Sequence, residues 1–211
     1  MPSAPSDAGT AVVGAPGAPA PAAPAAGLVP VKVVVAGGFG VGKTTLVGTV
    51  SDIAPLRTEA AMTALSHGVD DTRHVASKTT TTVALDFGRT QLNERLVLYI
   101  FGTPGQDRFW FMWDDLVEGA VGAIVLVDTR RLEDSFGPIA YFEKAGLPFV
   151  VAVNRFDGAH DYPEHELREA LAIGVDVPLL SGDARDRASA KTVLVALAQH
   201  ALHRRRARVR A

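Results

Sequence analysis

The sequence contains no cysteine and no apolar run of the roughly 20 residues needed to span a bilayer. The absence of cysteine excludes disulfides, thiolate metal ligands and prenyl or palmitoyl attachment, and it favours a reducing compartment. The N-terminus lacks the basic segment and apolar stretch of a secretory signal. Charge of one sign is not in excess either, since the net charge is -2, so composition gives no support for a nucleic-acid partner. We expect a cytoplasmic protein.

With 211 residues, 47% of them hydrophobic, the chain is long enough for one α/β domain with a complete core. Residues 1–27 are rich in alanine and proline and predict a disordered arm, because they hold too few bulky apolar side chains to offset the entropy of ordering. Residues 28–202 form the predicted domain, and 203–211 a basic tail. That tail is either a solvated helix end or a site of transient contact with an anionic membrane surface.

Within the domain, short apolar segments alternate with amphipathic ones. The segments that predict strands are 31–36, 82–87, 96–101, 122–127, 149–153 and 178–180. The segments that predict helices are 43–53, 165–173 and 189–202, with one further helical piece at 58–65. Residues 82–101 predict a hairpin with a turn around Gly88-Arg89 and Asn93-Glu94. This alternation predicts a mostly parallel sheet with helices on both faces and a ligand site at the carboxyl ends of the strands.

A phosphate-binding loop follows the first predicted strand. The segment GGFGVGKT meets the pattern G-x4-G-K-S/T between a strand and a helix, and it comprises Gly37, Gly38, Phe39, Gly40, Val41, Gly42, Lys43 and Thr44, with Thr45 next. Backbone N–H groups of such a loop wrap an anion, Lys43 would neutralise the β and γ phosphates, and Thr44 would bring its hydroxyl to Mg2+. The pattern predicts a P-loop NTPase three-layer sandwich: a six-stranded sheet with one antiparallel edge strand. A glycine-rich turn with a coincidental Lys-Thr is the alternative.

Two further segments at predicted strand ends indicate the base. Asn154 and Asp157 lie in N-R-F-D, where the carboxylate can accept hydrogen bonds from N1–H and N2–H of guanine and adenine offers no matching pair. Asn154 would brace the loop, and Arg155 would cover the base with its stem and planar head. A second segment resembles the guanine-contacting S-A-K segment of small GTPases and comprises Asp183, Ala184 and Arg185. This resemblance implies an Ala184 N–H directed at guanine O6. An N-x-x-D sequence is also a common turn.

These motifs resemble the Ras-like small GTPases over residues 31–202. More narrowly, FGTPGQDRFWFMWD, KTTTTVALDFG and VLVDTRR resemble bacterial GTPases of actinomycete conservon operons, which are related to the gliding-motility polarity GTPase. The resemblance implies a G domain that binds GTP, GDP and Mg2+ and acts as a signalling switch. It also implies a roadblock/LC7-domain protein and a sensor-kinase-like protein as partners.

The resemblance also implies the switch residues. Thr82 is the candidate switch threonine that ligates Mg2+, Gly105 would offer its N–H to the γ-phosphate, and Gln106 would orient the attacking water. Gly102 stands where the family has the aspartate that holds Mg2+ through a water, which predicts a modified magnesium site and slow hydrolysis. Arg73 is a weak candidate for an arginine finger in the same chain. The threonines at 79–82 are also typical of an ordinary strand start.

Several alternatives stay open at the level of sequence. The aromatic segment 109–113 either forms a partner-binding surface on a moving segment or packs over a helix. The protein could be a nucleotide-dependent scaffold without turnover, which the glycine at 102 favours. It could also be a P-loop kinase or ATPase, although such an enzyme needs neither N-x-x-D nor the D-A-R segment.

Overall fold

The computed structural model describes residues 27–54, 56–62, 81–105 and 107–210, and it gives the backbone alone for 56–62, 81–84, 107–109 and 210. The strands are β1 (Val29–Ala36), β2 (Leu56–Met62), β3 (Thr81–Gln91), β4 (Leu96–Gly102), β5 (Ala120–Val127), β6 (Phe149–Asn154) and β7 (Leu179–Gly182). The α-helices are α1 (Lys43–Val50), α2 (Trp113–Val117), α3 (Phe136–Ala145), α4 (Glu164–Ala170) and α5 (Arg187–Arg210). Two 3₁₀ helices span Asp107–Met112 and Leu132–Ser135.

The described strands form one sheet in the order β2-β3-β4-β1-β5-β6-β7. β1 pairs in parallel with β4 and β5, and β6 continues the parallel set to β7. β3 is antiparallel to both of its neighbours. This confirms the predicted α/β class and the mostly parallel sheet with one antiparallel strand. Parallel strands of this kind place their carboxyl ends along one edge, where the predicted motifs lie.

Two apolar layers cover the sheet because its central strands are buried on both faces. On β1, Val33 and Val35 point to the layer formed with α1 and α5, whereas Val34 and Ala36 point to the layer formed with α2, α3 and α4. Side chains alternate along a strand, so a strand that contacts both layers must be apolar throughout. This accounts for the unbroken valine run of β1.

β2 adds a seventh strand outside the predicted six, and it takes the edge position next to β3. The sequence predicts a helical piece at 58–65, and that prediction is wrong for 58–62; residues 63–65 lie outside the described part of the chain. Residues 56–62 contain good helix formers, but they pair antiparallel with residues 81–87, and pairing with an exposed strand outweighs local propensity. The antiparallel strand therefore lies second from the edge.

The boundaries of two other predicted elements also differ. β3 continues through Gly88 and Arg89, so the turn predicted at those residues is wrong. The turn predicted at Asn93-Glu94 is confirmed: it spans 92–95, where Asn93 Oδ1 accepts hydrogen bonds from the N–H groups of Arg95 and Leu96. At the other end of the chain, the residues predicted as a basic tail are the last turns of α5. Arg208 there donates to the Gly146 carbonyl at 2.7 Å. Within the described residues, no helix is both long and apolar enough to cross a membrane.

The two tryptophans pack inside the domain. Trp113 is 1% exposed and stacks on Trp110 at 5.3 Å between ring centroids, with Phe142 at 5.7 Å on the same indole. The interpretation of these two residues as a partner-binding surface was therefore wrong, because their rings fill the layer between the sheet and α3. Phe111 is exposed and is the described member of the aromatic segment that a partner could contact.

Candidate functional site

The glycine-rich loop lies between the end of β1 and the start of α1. Gly42, which precedes the helix, has φ of 106°, and a Cβ placed there would lie 2.7 Å from Asn154 Nδ2. Only glycine fits that combination of left-handed backbone and close approach. The loop thus brings the N-terminus of an eight-residue helix, with its N–H groups and partial positive charge, to the edge of the sheet.

Lys43 folds back onto this loop. Its ammonium group donates to the carbonyls of Gly37 at 2.9 Å and Gly38 at 2.7 Å, and the residue is 8% exposed. Burial lowers the pKa of Lys43 to about 8, while the nearby carboxylates of Asp86 and Asp134 act in the opposite direction. A bound phosphate would supply the negative charge that this buried cation needs.

The segment after β4, residues 103–105, packs against the glycine-rich loop. Thr103 N–H donates to the Val35 carbonyl at 2.8 Å, which ties the segment to β1. Gly105 then passes so close that a Cβ there would lie 2.6 Å from Lys43 Nζ and 3.0 Å from the backbone of Phe39. The predicted γ-phosphate residue Gly105 therefore lies directly beside the predicted phosphate lysine. Gln106 lies outside the described residues.

Thr44 and Thr82, the two predicted magnesium ligands, do not meet. Thr44 Oγ1 donates to Asp86 Oδ2 at 2.6 Å, which places Thr44 beside residue 86 of β3. Thr82 lies four residues earlier in that strand, about 13 Å away along the backbone at roughly 3.3 Å per residue. Pairing with β2 keeps residues 81–85 extended beyond the end of β4, so the backbone of Thr82 lies away from Thr44 in this arrangement. The role of Thr82 as a magnesium ligand stays a prediction.

Asn154, at the end of β6, connects two loops. Its Nδ2 donates to the Val41 carbonyl in the glycine-rich loop at 2.9 Å, and its Oδ1 accepts from the Ala184 N–H at 2.9 Å. Ala184 itself is buried at the β7–α5 connection. The Ala184 N–H, which is predicted to face guanine O6, donates to Asn154 here, and its contact with the base stays a prediction.

Beyond Asn154, three charged side chains meet at the surface. Arg185 donates to both carboxylate oxygens of Asp157, at 2.9 and 3.1 Å, and its Nη2 also reaches Asp183 at 2.7 Å. The guanidinium lowers the pKa of both carboxyl groups through these hydrogen bonds. The side chain of Asp157 is 87% exposed. The two loops predicted to contact the base are thus joined by an ion pair between residues from each.

Arg155 extends away from this cluster and pairs with Asp161 at 3.5 Å. A different arginine covers the aromatic ring of the N-R-F-D segment: the Arg130 guanidinium lies 4.0 Å from the centroid of Phe156. Arg130 also makes a two-point hydrogen bond with the buried Asp128 at the end of β5. The predicted covering role of Arg155 has no counterpart in these contacts.

A family model described as "conserved hypothetical ATP binding protein" matches residues 35–204. The chain belongs to this family. The match begins in β1 and ends in α5, so it includes the glycine-rich loop and the two loops predicted to contact the base, at 154–157 and 183–185. An uncharacterized protein of Methanocaldococcus jannaschii is 30% identical over 129 residues, which are 60% of this chain and 71% of that protein.

Solved structures similar to this family member include G domains of FeoB. The FeoB G domain from Methanococcus jannaschii has a TM-score of 0.54 at 14% identity and covers 82% of this chain and 97% of its own. The cytosolic domain of the T. maritima FeoB iron transporter in a GDP form has a TM-score of 0.58 at 17% identity, covering 82% of this chain and 64% of its own. Identities this low establish the fold alone. Fold and family together identify the chain as a P-loop nucleotide-binding protein.

The chemistry of the site fits a magnesium-nucleotide. The Thr44 hydroxyl and its carboxylate neighbour are oxygen donors of the type Mg2+ prefers, and the loop N–H groups and Lys43 suit phosphate. The sequence does not predict three contacts with the glycine-rich loop and the start of α1. Asp86 accepts a hydrogen bond from Thr44, Arg131 donates to the Phe39 carbonyl, and Asp134 packs against Gly38. The motif VLVDTRR ends at Arg131, but only the structure shows that its side chain turns onto the loop.

Proposed function

We propose that the chain is a switch operated by guanine nucleotides, with slow hydrolysis of GTP. The observation that carries this proposal is the double hydrogen bond of Asn154, which joins the phosphate loop at Val41 to the connection at Ala184. Asp157 follows three residues later, so a carboxylate stands at the base end of a site whose phosphate end is built from glycine-rich backbone. Asp157 would accept two hydrogen bonds from guanine, and Asp183 and Arg185 would flank the base.

Two comparisons bear on the choice of base and point in different directions. The T. maritima FeoB cytosolic domain was solved in a GDP form, which supports guanine by analogy of fold. The family description names ATP, which supports adenine as the second candidate. The carboxylate favours guanine on chemical grounds, because it would face a lone pair on adenine N1 instead of a donor.

Identifying the nucleotide that co-purifies with the protein tests this choice. We expect chromatography after denaturation to show GDP or GTP. Asp157→Asn should weaken guanine-nucleotide binding by about 10–150-fold, the equivalent of roughly 1.5–3 kcal/mol for hydrogen bonds to a charged group. Asp161→Asn, on the same loop and also exposed, is the matched control and should leave binding unchanged. Retention of ATP with no effect of Asp157→Asn would establish the adenine alternative.

Hydrolysis in this proposal depends on Gln106 to orient water, with Lys43 and Gly105 on the γ-phosphate and Thr82 sensing it after β3 releases its pairing with β2. Mg2+ at Thr44 would neutralise charge on the β and γ phosphates. Single-turnover hydrolysis measures the rate directly, and Gln106→Leu should reduce it while nucleotide affinity stays the same. A rate no higher than that of free GTP, with nucleotide bound, would favour the scaffold alternative.

The conservon-type resemblance adds partners to this proposal: a roadblock/LC7-domain protein and a sensor-kinase-like protein. The exposed Phe111, on the 3₁₀ helix after Gly105, supports a partner contact near the nucleotide. The arginines at the end of α5 would allow transient contact with an anionic membrane from the cytoplasm. Co-sedimentation with a roadblock-domain protein in the GTP-analogue and GDP states tests the first contact, and binding that ignores the nucleotide would contradict a switch.

A further inference from the structure

Gly102, the last residue of β4, lacks the carboxylate that the resemblance leads one to expect there. The residue directly opposite on the antiparallel neighbour β3 is Asp86. Directly opposed residues of an antiparallel pair point to the same face of the sheet with their Cβ atoms about 4.5–5.5 Å apart. A carboxylate moved from one position to the other thus stays on the same face and shifts by one strand.

The two positions compete for one space. A Cβ built on Gly102 would lie 3.0 Å from Asp86 Cβ and 3.2 Å from Asp86 Oδ2. The Asp86 side chain therefore already fills the volume that a side chain at position 102 would enter. The space at the paired positions 86 and 102 holds one carboxylate, and in this chain that carboxylate is on β3.

The Asp86 carboxylate is also joined to the loop that binds phosphate. Oδ2 accepts a hydrogen bond from the Thr44 hydroxyl, with 2.6 Å between the two oxygens. Because the hydroxyl is the donor in this bond, the lone pairs of Thr44 Oγ1 remain available to a cation. Mg2+ in nucleotide sites is held by one or two carboxylates together with phosphates and waters. We propose that Asp86 supplies, from the neighbouring strand, the carboxylate of the Mg2+ site that Gly102 does not supply.

This assignment rests on the proposed nucleotide site, and it is independent of whether the base is guanine or adenine. It also differs from a purely structural role for Asp86. If Asp86 contributed only to the packing between β3 and β4, its removal would alter stability and leave the affinity for the cation nearly unchanged. Cation binding must therefore be measured directly.

The experiment measures Mn2+ binding to the purified full chain loaded with whichever nucleoside diphosphate it retains, using the electron paramagnetic resonance signal of unbound Mn2+. We expect Asp86→Asn to weaken Mn2+ binding by about 10–100-fold, the usual effect of removing a group that supports a metal site. Asp115→Asn, an exposed carboxylate on α2, is the matched control and should match the wild type. Exchange of the wild-type nucleotide should accelerate with EDTA, and that of Asp86→Asn should respond far less.

A carboxylate exchange sharpens the test. Asp86→Gly should lose Mn2+ affinity, and Asp86→Gly combined with Gly102→Asp should regain most of it, because the vacated volume admits the new side chain. Mn2+ affinity of Asp86→Asn within threefold of the wild type overturns the assignment. If Asp86→Asn does not fold, equal affinity in Asp86→Gly and the exchange variant overturns it instead. A wild-type protein that retains no nucleotide contradicts the proposed function, whereas retained nucleotide with unchanged Mn2+ binding contradicts only the role of Asp86.

Discussion

The phosphate end and the base end of the site are built in different ways. At the phosphate end, backbone groups and buried side chains form the contacts: Lys43 is 8% exposed and Asn154 is 7% exposed. At the base end, the contacts are ion pairs at the surface, with the exposed Arg185 between the exposed Asp157 and the half-buried Asp183. The first end is fixed by the packing that forms the sheet, whereas the second consists of pairs that water and salt weaken. Phosphate binding is therefore tied to the fold, and base choice depends on a few replaceable side chains.

Asn154→Ala should have the largest effect, because that residue belongs to both ends. Its loss leaves the buried Val41 carbonyl and Ala184 N–H without their partner, at about 1–3 kcal/mol each, or about 2–6 kcal/mol together. At roughly 2–4 °C per kcal/mol for a domain of this size, the melting temperature should fall by about 5–20 °C in calorimetry.

Asn93→Ala is the matched control for that experiment. The Asn93 side chain also makes two hydrogen bonds to backbone, but in an exposed turn where water replaces them. We expect a loss of about 1 kcal/mol or less for this variant. Equal destabilisation by the two substitutions would contradict the view that the phosphate end is fixed by buried contacts.

Arg185→Ala isolates the base end. Arg185 donates to both oxygens of Asp157, which guanine would need. Removal of this exposed pair should raise guanine-nucleotide affinity by no more than about fivefold and leave stability nearly unchanged. Fluorescence titration with a labelled GDP measures the affinity, and Arg204→Ala, which breaks a remote pair with Asp176, is the control. A fall in guanine affinity would show that the proposed contact of Arg185 with the base outweighs its competition for Asp157.

The same contrast explains how much of the site the sequence predicts. The loop from Gly37 to Thr44 and the residues Asn154 and Asp157 follow apolar strands at short spacing, and their chemistry is local, so a pattern identifies them. The fold class follows from the same alternation of strands and helices. These features need no knowledge of which side chains approach from elsewhere in the chain.

The remaining features depend on pairings that sequence spacing does not contain. Asp86 meets Gly102 only because the turn lies at 92–95, and a turn near Gly88 would have predicted another register. β2 contains helix-forming residues and becomes a strand only because the edge of β3 is available. Arg185 reaches Asp157 across 28 residues, and the position of long charged side chains on a surface is set by the folded neighbours.

The smallest expected effect concerns Asp52, an exposed carboxylate outside the site that serves as a reference for the pairs of the base end. Hydrogen bonds from Thr90, Gln91 and Arg187 lower the pKa of Asp52 from 3.8 to about 2. Because the folded-state pKa lies below the unfolded value, the stabilisation is complete above pH 3.8 and is lost as the pH falls toward 2. Since the carboxylate is well exposed, we expect about 0.2–1 kcal/mol.

Chemical unfolding of the wild type and Asp52→Asn at several pH values measures the stabilisation that the Asp52 carboxylate contributes. The difference in free energy of unfolding between the two proteins should be constant from pH 7 to about 5 and should shrink below pH 3.8. High salt should reduce the part of the difference that comes from Arg187. If the two proteins differ in free energy of unfolding by well above about 1 kcal/mol, exposed ion pairs in this domain are strong. The ion pairs of Arg185 would then stabilise the base end as firmly as buried contacts stabilise the phosphate end, which would contradict the contrast between the two ends.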